Sequence, residues 1–162
     1  MKTSINFKAA KSDSEIHNFR KKSFDYIRKD LTHKNEYWME QKIADRMLKI
    51  ESYCKEKSGR KLQKNAMPVR EAVVVIKENT TMQDLHNLSK RLEEELNIRI
   101  FQIAIHKDEG HYDKDTKEWK PNYHAHLVAD WQDLQTGKTL KHQSFHYSKM
   151  QDLAAECLEM ER

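Results

Sequence analysis

Residues 98–106 (IRIFQIAIH) and 122–131 (NYHAHLVADW) are the two most strand-like runs in the chain. What separates them, KDEGHYDKDTKEWKP, is charged and rich in turn formers, with no helical periodicity. A parallel pair needs a long crossover, usually a helix, to bring the chain back to the same end. None is on offer, so the two runs are expected to pair as antiparallel hairpin partners. Whatever else the chain folds into is built around that pair.

The remaining segments supply strands and helices in alternation. Residues 3–8 alternate weakly and read as a first strand, and a short helix is expected from Ser14, with Ser12 and Glu15 at capping-box spacing. Residues 37–57 place Ile43, Met47, Ile50 and Cys54 on one face of the longest predicted helix, which ends at Gly59. A buried-type strand follows at 70–77. Thr80 and Gln83 then have capping-box spacing before a helix lined by Leu85, Leu88, Leu92 and Leu96. Gly137 marks a turn, and 148–161 forms a last amphipathic helix. The order predicts an α+β fold, a largely antiparallel β-sheet with flanking α-helices. Since 35% of residues are charged and the mean hydropathy is -1.00, the core is expected to be thin.

No linker divides the 162 residues, so one domain, 1–162, is expected. Lys and Arg number 30 against 26 Asp and Glu, a net charge of +4 that permits an anionic partner without amounting to a polybasic tail. Neither Cys54 nor Cys157 belongs to a CxxC pair, the first residues lack an apolar signal core, and no run approaches the roughly 20 residues that span a bilayer. A reduced, cytoplasmic protein is expected.

The strand pair also carries the chemistry. His124 and His126 alternate onto one face of their strand, and His106, at the end of the partner, can arrive beside them. Three neutral imidazoles make a facial site, suited to Mn, Zn, Ni or Co and not to Ca, whose sites are oxygen-rich. Asp108 and Glu109 add carboxylates able to orient an imidazole or move a proton, and His111 is a competing ligand. His33, His86, His142 and His146 read as surface or capping residues. A second cluster, IHNFRKK, spaces His17, Arg20 and Lys21 three and four residues apart, which would put an imidazole beside two cations on one helix face.

Taken together, HNFR (17–20), LTHKN (31–35), REAVVV (70–75), HKDE (106–109), HAH (124–126) and TGKTLKHQSF (136–145) resemble the plasmid mobilisation and recombination family, the Pre/Mob or MobV-type relaxases. The resemblance implies an HUH-type endonuclease fold and a DNA relaxase that nicks one strand at a transfer origin by metal-assisted transesterification, keeping a covalent link to the 5′ phosphate. It implies His106, His124 and His126 as metal ligands, with Mn or Mg expected and Zn, Ni or Co as alternatives. Glu109 matches the acid/base, His17 the nucleophile, with Tyr26 as its rival, and Arg20 a phosphate-holding cation. Asn18, Arg20, Lys21, Arg28 and Arg70 are the expected DNA contacts, and Tyr26, Trp38 and Trp119 the candidate stacking platforms. The implied partners are single-stranded or hairpin origin-of-transfer DNA and accessory mobilisation proteins, the chain being the N-terminal part of a longer protein. A replication initiator of the same superfamily, or a DNA-binding protein that keeps the fold without catalysis, are the alternatives. One departure from the family pattern stands out: a long polar loop separates His106 from His124, and Pro121 is not adjacent to the histidine.

Overall fold

The computed structural model describes residues 1–22, 24 and 26–162. Its elements are β1 (Ile5–Ala9), α1 (Ser14–Asn18), a 3-10 helix (Lys29–Lys34), β2 (Glu36–Met39), α2 (Ile43–Ser58), β3 (Val69–Val75), α3 (Met82–Leu96), β4 (Arg99–His106), β5 (Gly110–Tyr112), β6 (Trp119–Pro121), β7 (His124–Asp130) and α4 (Ser144–Leu158). Five strands form one sheet in the order β1-β3-β7-β4-β2, and every neighbouring pair is antiparallel. The expected α+β layout is what the chain adopts. No helix among the described residues is long and apolar enough to cross a membrane.

Strand alternation gives the sheet two unlike faces. On one, Ala72, Val74, Ile103, Ile105, Ala125, Leu127 and Ala129 are buried beneath α3 and α4. The four leucines of α3 at 85, 88, 92 and 96 all point into this layer, as their spacing predicted, and each contributes roughly 1.5–3 kcal/mol by leaving water. On the other face, α2 covers only the end near Asp130, where Ile50 packs with Val69, Phe101 and Val128. A register shift between Ile100 and Gln102 marks a bulge, which explains how Phe101 and Gln102 both serve this second face while Ile100 joins the first. The opposite end of that face is left to α1 and the segment after it.

Several boundaries differ from expectation. Residues 36–39 are an edge strand paired with β4 and not the start of the long helix, which begins at Ile43. Trp38 turns to the helix-covered face against His86, and packing of a large aromatic on a sheet overrides a weak helical pattern. The capping box of α3 uses Thr81 and Asp84, one residue on from the predicted pair. Glu15 forms no capping box with Ser12; its carboxylate accepts from the Ile43 N–H, the first of α2, and from Gln102, tying α1 to α2 and β4. The last helix starts at Ser144, where His146 Nδ1 accepts from the Gln143 N–H. Finally, β4 and β7 pair as predicted, but the loop between them folds back as a two-stranded ribbon, β5 with β6.

Two glycines require the left-handed backbone, Gly59 at φ 72° and Gly137 at φ 78°. A Cβ on Gly59 would meet nothing within 4 Å, whereas one on Gly137 would lie 2.9 Å from Lys57 Cβ and 3.1 Å from Cys54 Cα on α2. Gly59→Ala is therefore expected to cost about 1–2 kcal/mol, the left-handed penalty alone. Gly137→Ala adds a clash with the helix, so chemical denaturation should show it to be the more damaging of the two; equal midpoints would contradict this packing.

Candidate metal centre

Three buried imidazoles meet at the open end of the second face. His106 lies directly across from His124 in the β4–β7 register, and His126 follows two residues along β7. Their ring centroids are 4.8 to 5.1 Å apart. The outer nitrogen of each ring is held by an acceptor, which assigns its proton. His106 Nε2 donates to the Asn18 carbonyl at 2.7 Å, His124 Nδ1 to the Asn122 carbonyl at 3.0 Å, and His126 Nδ1 to the Glu71 carboxylate at 2.7 Å. The lone pairs are thereby left on His106 Nδ1, His124 Nε2 and His126 Nε2.

The surroundings of those lone pairs call for positive charge. His106 Nδ1 and His124 Nε2 face each other at 3.2 Å. Glu109 Oε2 is 3.1 Å from the first and 3.3 Å from the second. A proton on one ring would relieve that pair and leave the third nitrogen aside, for His126 Nε2 is buried with no hydrogen-bond partner. A divalent ion would supply that charge, and the donor set, imidazole with one carboxylate, suits a transition ion. The ligand atoms of His106, Glu109 and His124 lie within 4.8 Å of one another, as do those of His17, His106 and His126, so the expected trio of His106, His124 and His126 is divided between two groups that share His106.

Burial drives the His126 pKa down to about 4, against the raising effect of Glu71, so the ring is neutral and able to ligate at neutral pH. Glu71 shows the complementary balance. Burial opposes its charge, but hydrogen bonds from His126, Ser14 and Asn18 prevail and bring its pKa to about 2. Burial likewise opposes the Glu109 charge, and its neighbours His106, His124 and Arg20 outweigh it, holding the carboxyl well below its ordinary range. Glu109 is thus ionised at neutral pH, able to bind a cation and too weak a base to hold a proton there.

His17 stands at the entrance. Its ring is 5.7 Å from that of His106 and 5.6 Å from that of His126, edge-on to both. Burial, opposed by Glu109 and reinforced by Arg20 and His106, lowers its pKa below the ordinary value, which leaves a neutral imidazole facing the three histidines. From there a cleft of about 1100 Å³ runs along β3 and β1, walled by Val73, Val75, Phe24 and Tyr26, with Lys8, Lys11 and Lys22 at its rim.

The other expected contacts are placed differently. Arg20 is not open to solvent: its nitrogens donate to Asp108 at 3.1 and 2.8 Å, to Glu109 at 2.5 Å and to the His17 carbonyl at 3.0 Å. Asn18, 1% exposed, is an interior strut joining the His106 ring to Glu71. Arg70 occupies the opposite face of the sheet, its guanidinium 4.3 Å above the Trp131 ring. Lys21 is exposed and borders a smaller basic niche with Lys22, Lys29 and Arg20. Arg28 lies over Trp119 at 5.2 Å and pairs with Asp30, and His111 is an exposed residue of β5, apart from the cluster. Trp38 faces away from the site, and Tyr26 lies beside His17. Glu71 was not foreseen. The signal lay in strand parity: in REAVVV, Glu71 and not Arg70 shares a face with Val73, the residue opposite His126.

The fold so built is known from solved structures. All of this chain superposes on 90% of the MobM relaxase domain (MOBV; Mob_Pre), whose Mn-bound structures hold plasmid pMV158 oriT DNA. With the 22-nucleotide DNA the TM-score is 0.69 at 17% identity, and with the 3′-thiophosphate form it is 0.70 at 16%. A third structure, with 23 nucleotides, gives 0.62 at 13% identity, covering 88% of that chain. At such identities the likeness is one of fold, and this chain has the fold of the MobM relaxase domain. No family model matches the sequence, and no curated protein does.

If the three lone pairs form one site, His106→Ala, His124→Ala and His126→Ala should each sharply weaken Mn²⁺ binding by calorimetry, with circular dichroism unchanged. His111→Ala should bind like the parent. Glu71→Ala should lower affinity by about 10–100-fold, because it removes the acceptor that sets the His126 ring. Parental affinity in all three alanine variants would exclude the site.

Proposed function

We propose that the protein is a metal-dependent DNA relaxase, which nicks one strand at a transfer origin and remains joined to the 5′ phosphate. The observation that carries this reading is the cluster of three buried imidazoles, their rings 4.8 to 5.1 Å apart and each with its outer nitrogen held by an acceptor, with the neutral His17 ring beside them. The MobM relaxase domain, whose fold this chain shares, is bound to Mn and to oriT DNA. The corresponding reading here is a divalent ion, Mn or Mg, held by His106, His124 and His126. Such an ion supplies positive charge to the non-bridging oxygens of a phosphate.

The chain's own residues would do the rest. His17 attacks phosphorus with a ring nitrogen, needing no prior deprotonation because the ring is neutral. Arg20 fixes Asp108 and Glu109 and through them the edge of the cluster, so its contribution is to position the site more than to grip a phosphate directly. Glu109, ionised, would complete the ligand set beside His106 and His124. Lys8, Lys11 and Lys22 offer charge to a strand lying in the cleft, and Val73 and Val75 offer it an apolar floor. Single-stranded or extruded DNA fits such a cleft, with the site on its wall.

The experiment is a nicking assay on supercoiled DNA carrying the origin of the element that encodes the chain. Nicking with Mn²⁺ should stop on chelation and in His17→Ala, and the covalent complex should be acid-labile, as a phosphoramidate is. DNA binding with no cleavage under any divalent ion would refute the enzyme and favour a non-catalytic DNA-binding protein. A complex stable to acid would refute histidine as its anchor.

Binding should also depend on salt through local charge, since a net +4 exerts little long-range field. Replacing Lys8, Lys11 and Lys22 by Gln should flatten the slope of log affinity against log salt by about 2, from roughly 0.7 per phosphate contact on single strands. An unchanged slope would put the strand elsewhere.

A further inference from the structure

We propose that Tyr26 is a positioning residue that sets the ring tautomer of His17, keeping the proton on Nδ1 so that the lone pair on Nε2 faces the three histidines. The inference rests on reading His17 as the attacking group. Tyr26 Oη lies 3.1 Å from His17 Nδ1. The other ring nitrogen, Nε2, points inward, 4.0 Å from Glu109 Oε2, beyond hydrogen-bond reach. Tyr26 is therefore the one hydrogen-bond partner of the His17 ring among the described residues.

A neutral imidazole has one proton, and only the nitrogen without it can attack. If the phenol donates to Nδ1, the proton sits on Nε2 and the inward nitrogen is blocked. If Nδ1–H donates to the phenol oxygen, the inward lone pair is available. A hydroxyl can do either, so a third group decides, and the cleft supplies it. Tyr26 is 44% exposed and lines the cleft together with His17. A phosphodiester there is an acceptor only; it takes the phenol proton, which obliges the phenol oxygen to accept from Nδ1. The chain of bonds then runs His17 Nδ1–H to Tyr26 Oη–H to phosphate oxygen, and the bound strand itself selects the reactive tautomer. Phe24 holds the phenol plane, stacked on Tyr26 at 5.5 Å with 10° between the rings. Burial, with the charge of Glu109, raises the Tyr26 pKa, so the phenol stays protonated and is a poor nucleophile in its own right.

In the step itself the Nε2 lone pair forms the N–P bond as the bond from phosphorus to the 3′ oxygen breaks. The leaving oxygen keeps that electron pair and takes a proton from solvent. The ring retains its Nδ1 proton and a positive charge, to which the Tyr26 oxygen remains the acceptor.

The test is Tyr26→Phe, measured in two ways. Adduct formation with a saturating single-stranded oligonucleotide spanning the origin, followed in a single turnover, should slow by about tenfold, the rate equivalent of one hydrogen bond, in addition to any loss of oligonucleotide affinity. Long-range ¹H–¹⁵N spectra of the Mg²⁺-loaded protein with oligothymidylate should show His17 protonated at Nδ1 in the parent and as a mixture of tautomers in Tyr26→Phe. An Nε2–H ring in the DNA-bound parent, a parental rate in Tyr26→Phe, or a loss confined to affinity would each overturn the inference while His17→Ala remains inactive. An adduct formed by His17→Ala and not by Tyr26→Phe would instead overturn the histidine mechanism.

Discussion

The antiparallel pairing of β4 with β7 sets His106 opposite His124, and the rest of the site takes its position from that pair. The register is enforced from the other side of the sheet. Ile103 and Ile105 on β4 and Ala125, Leu127 and Ala129 on β7 are buried under α3 and α4. A slip of one residue would turn these into the polar cluster and drive Gln102, His106, His124 and His126 into the apolar layer. Burying such groups without partners costs several kcal/mol in total. The helix layer thus fixes the geometry of the site without touching it.

Once the strands are placed, buried charge holds the side chains. Asp108 is fully buried and takes hydrogen bonds from Arg20 and Thr32, while Glu71 takes them from Ser14, Asn18 and His126. Removing one partner from such a pair leaves an uncompensated charge, typically worth 3–5 kcal/mol. Arg20 bears a further cost. Its φ of 55° is left-handed in a residue with a side chain, a conformation that persists only where the surroundings impose it. Here they do, since its guanidinium closes a circuit from the end of α1 to the segment after β4.

How much of this was legible in the sequence follows from the kind of signal each part leaves. Alternation in IRIFQIAIH and HAHLVAD gave the central strands and the shared face of three histidines, because strand parity is written directly in spacing. The four leucines of α3 were legible for the same reason. Residues 36–39 were not: a four-residue edge strand is too short for its alternation to stand apart from one helical turn, and Trp38 is committed to the sheet by His86, far away in sequence. Nor could Arg70 and Glu71 be told apart without knowing which face of β3 the site would use. Arg20 looked like an exposed cation because spacing says nothing about where Asp108 will be. Contacts between segments 88 residues apart are set by packing alone.

The division of the sheet into two unlike faces also accounts for the chain's composition. One face is given mainly to apolar packing beneath α3 and α4. The other is apolar mainly where α2 crosses it, and beyond that the buried groups include imidazoles, carboxylates, the Asn18 amide and the Arg20 guanidinium. Such a polar half contributes little hydrophobic stability, in a chain whose mean hydropathy is already -1.00. Any ligand that binds only the folded site adds RT ln(1 + [L]/Kd), about 2.7 kcal/mol at a hundredfold excess over Kd. A divalent ion among converging lone pairs would therefore stabilise the half of the sheet that apolar burial does not, linking the chemistry of the site to the persistence of the fold.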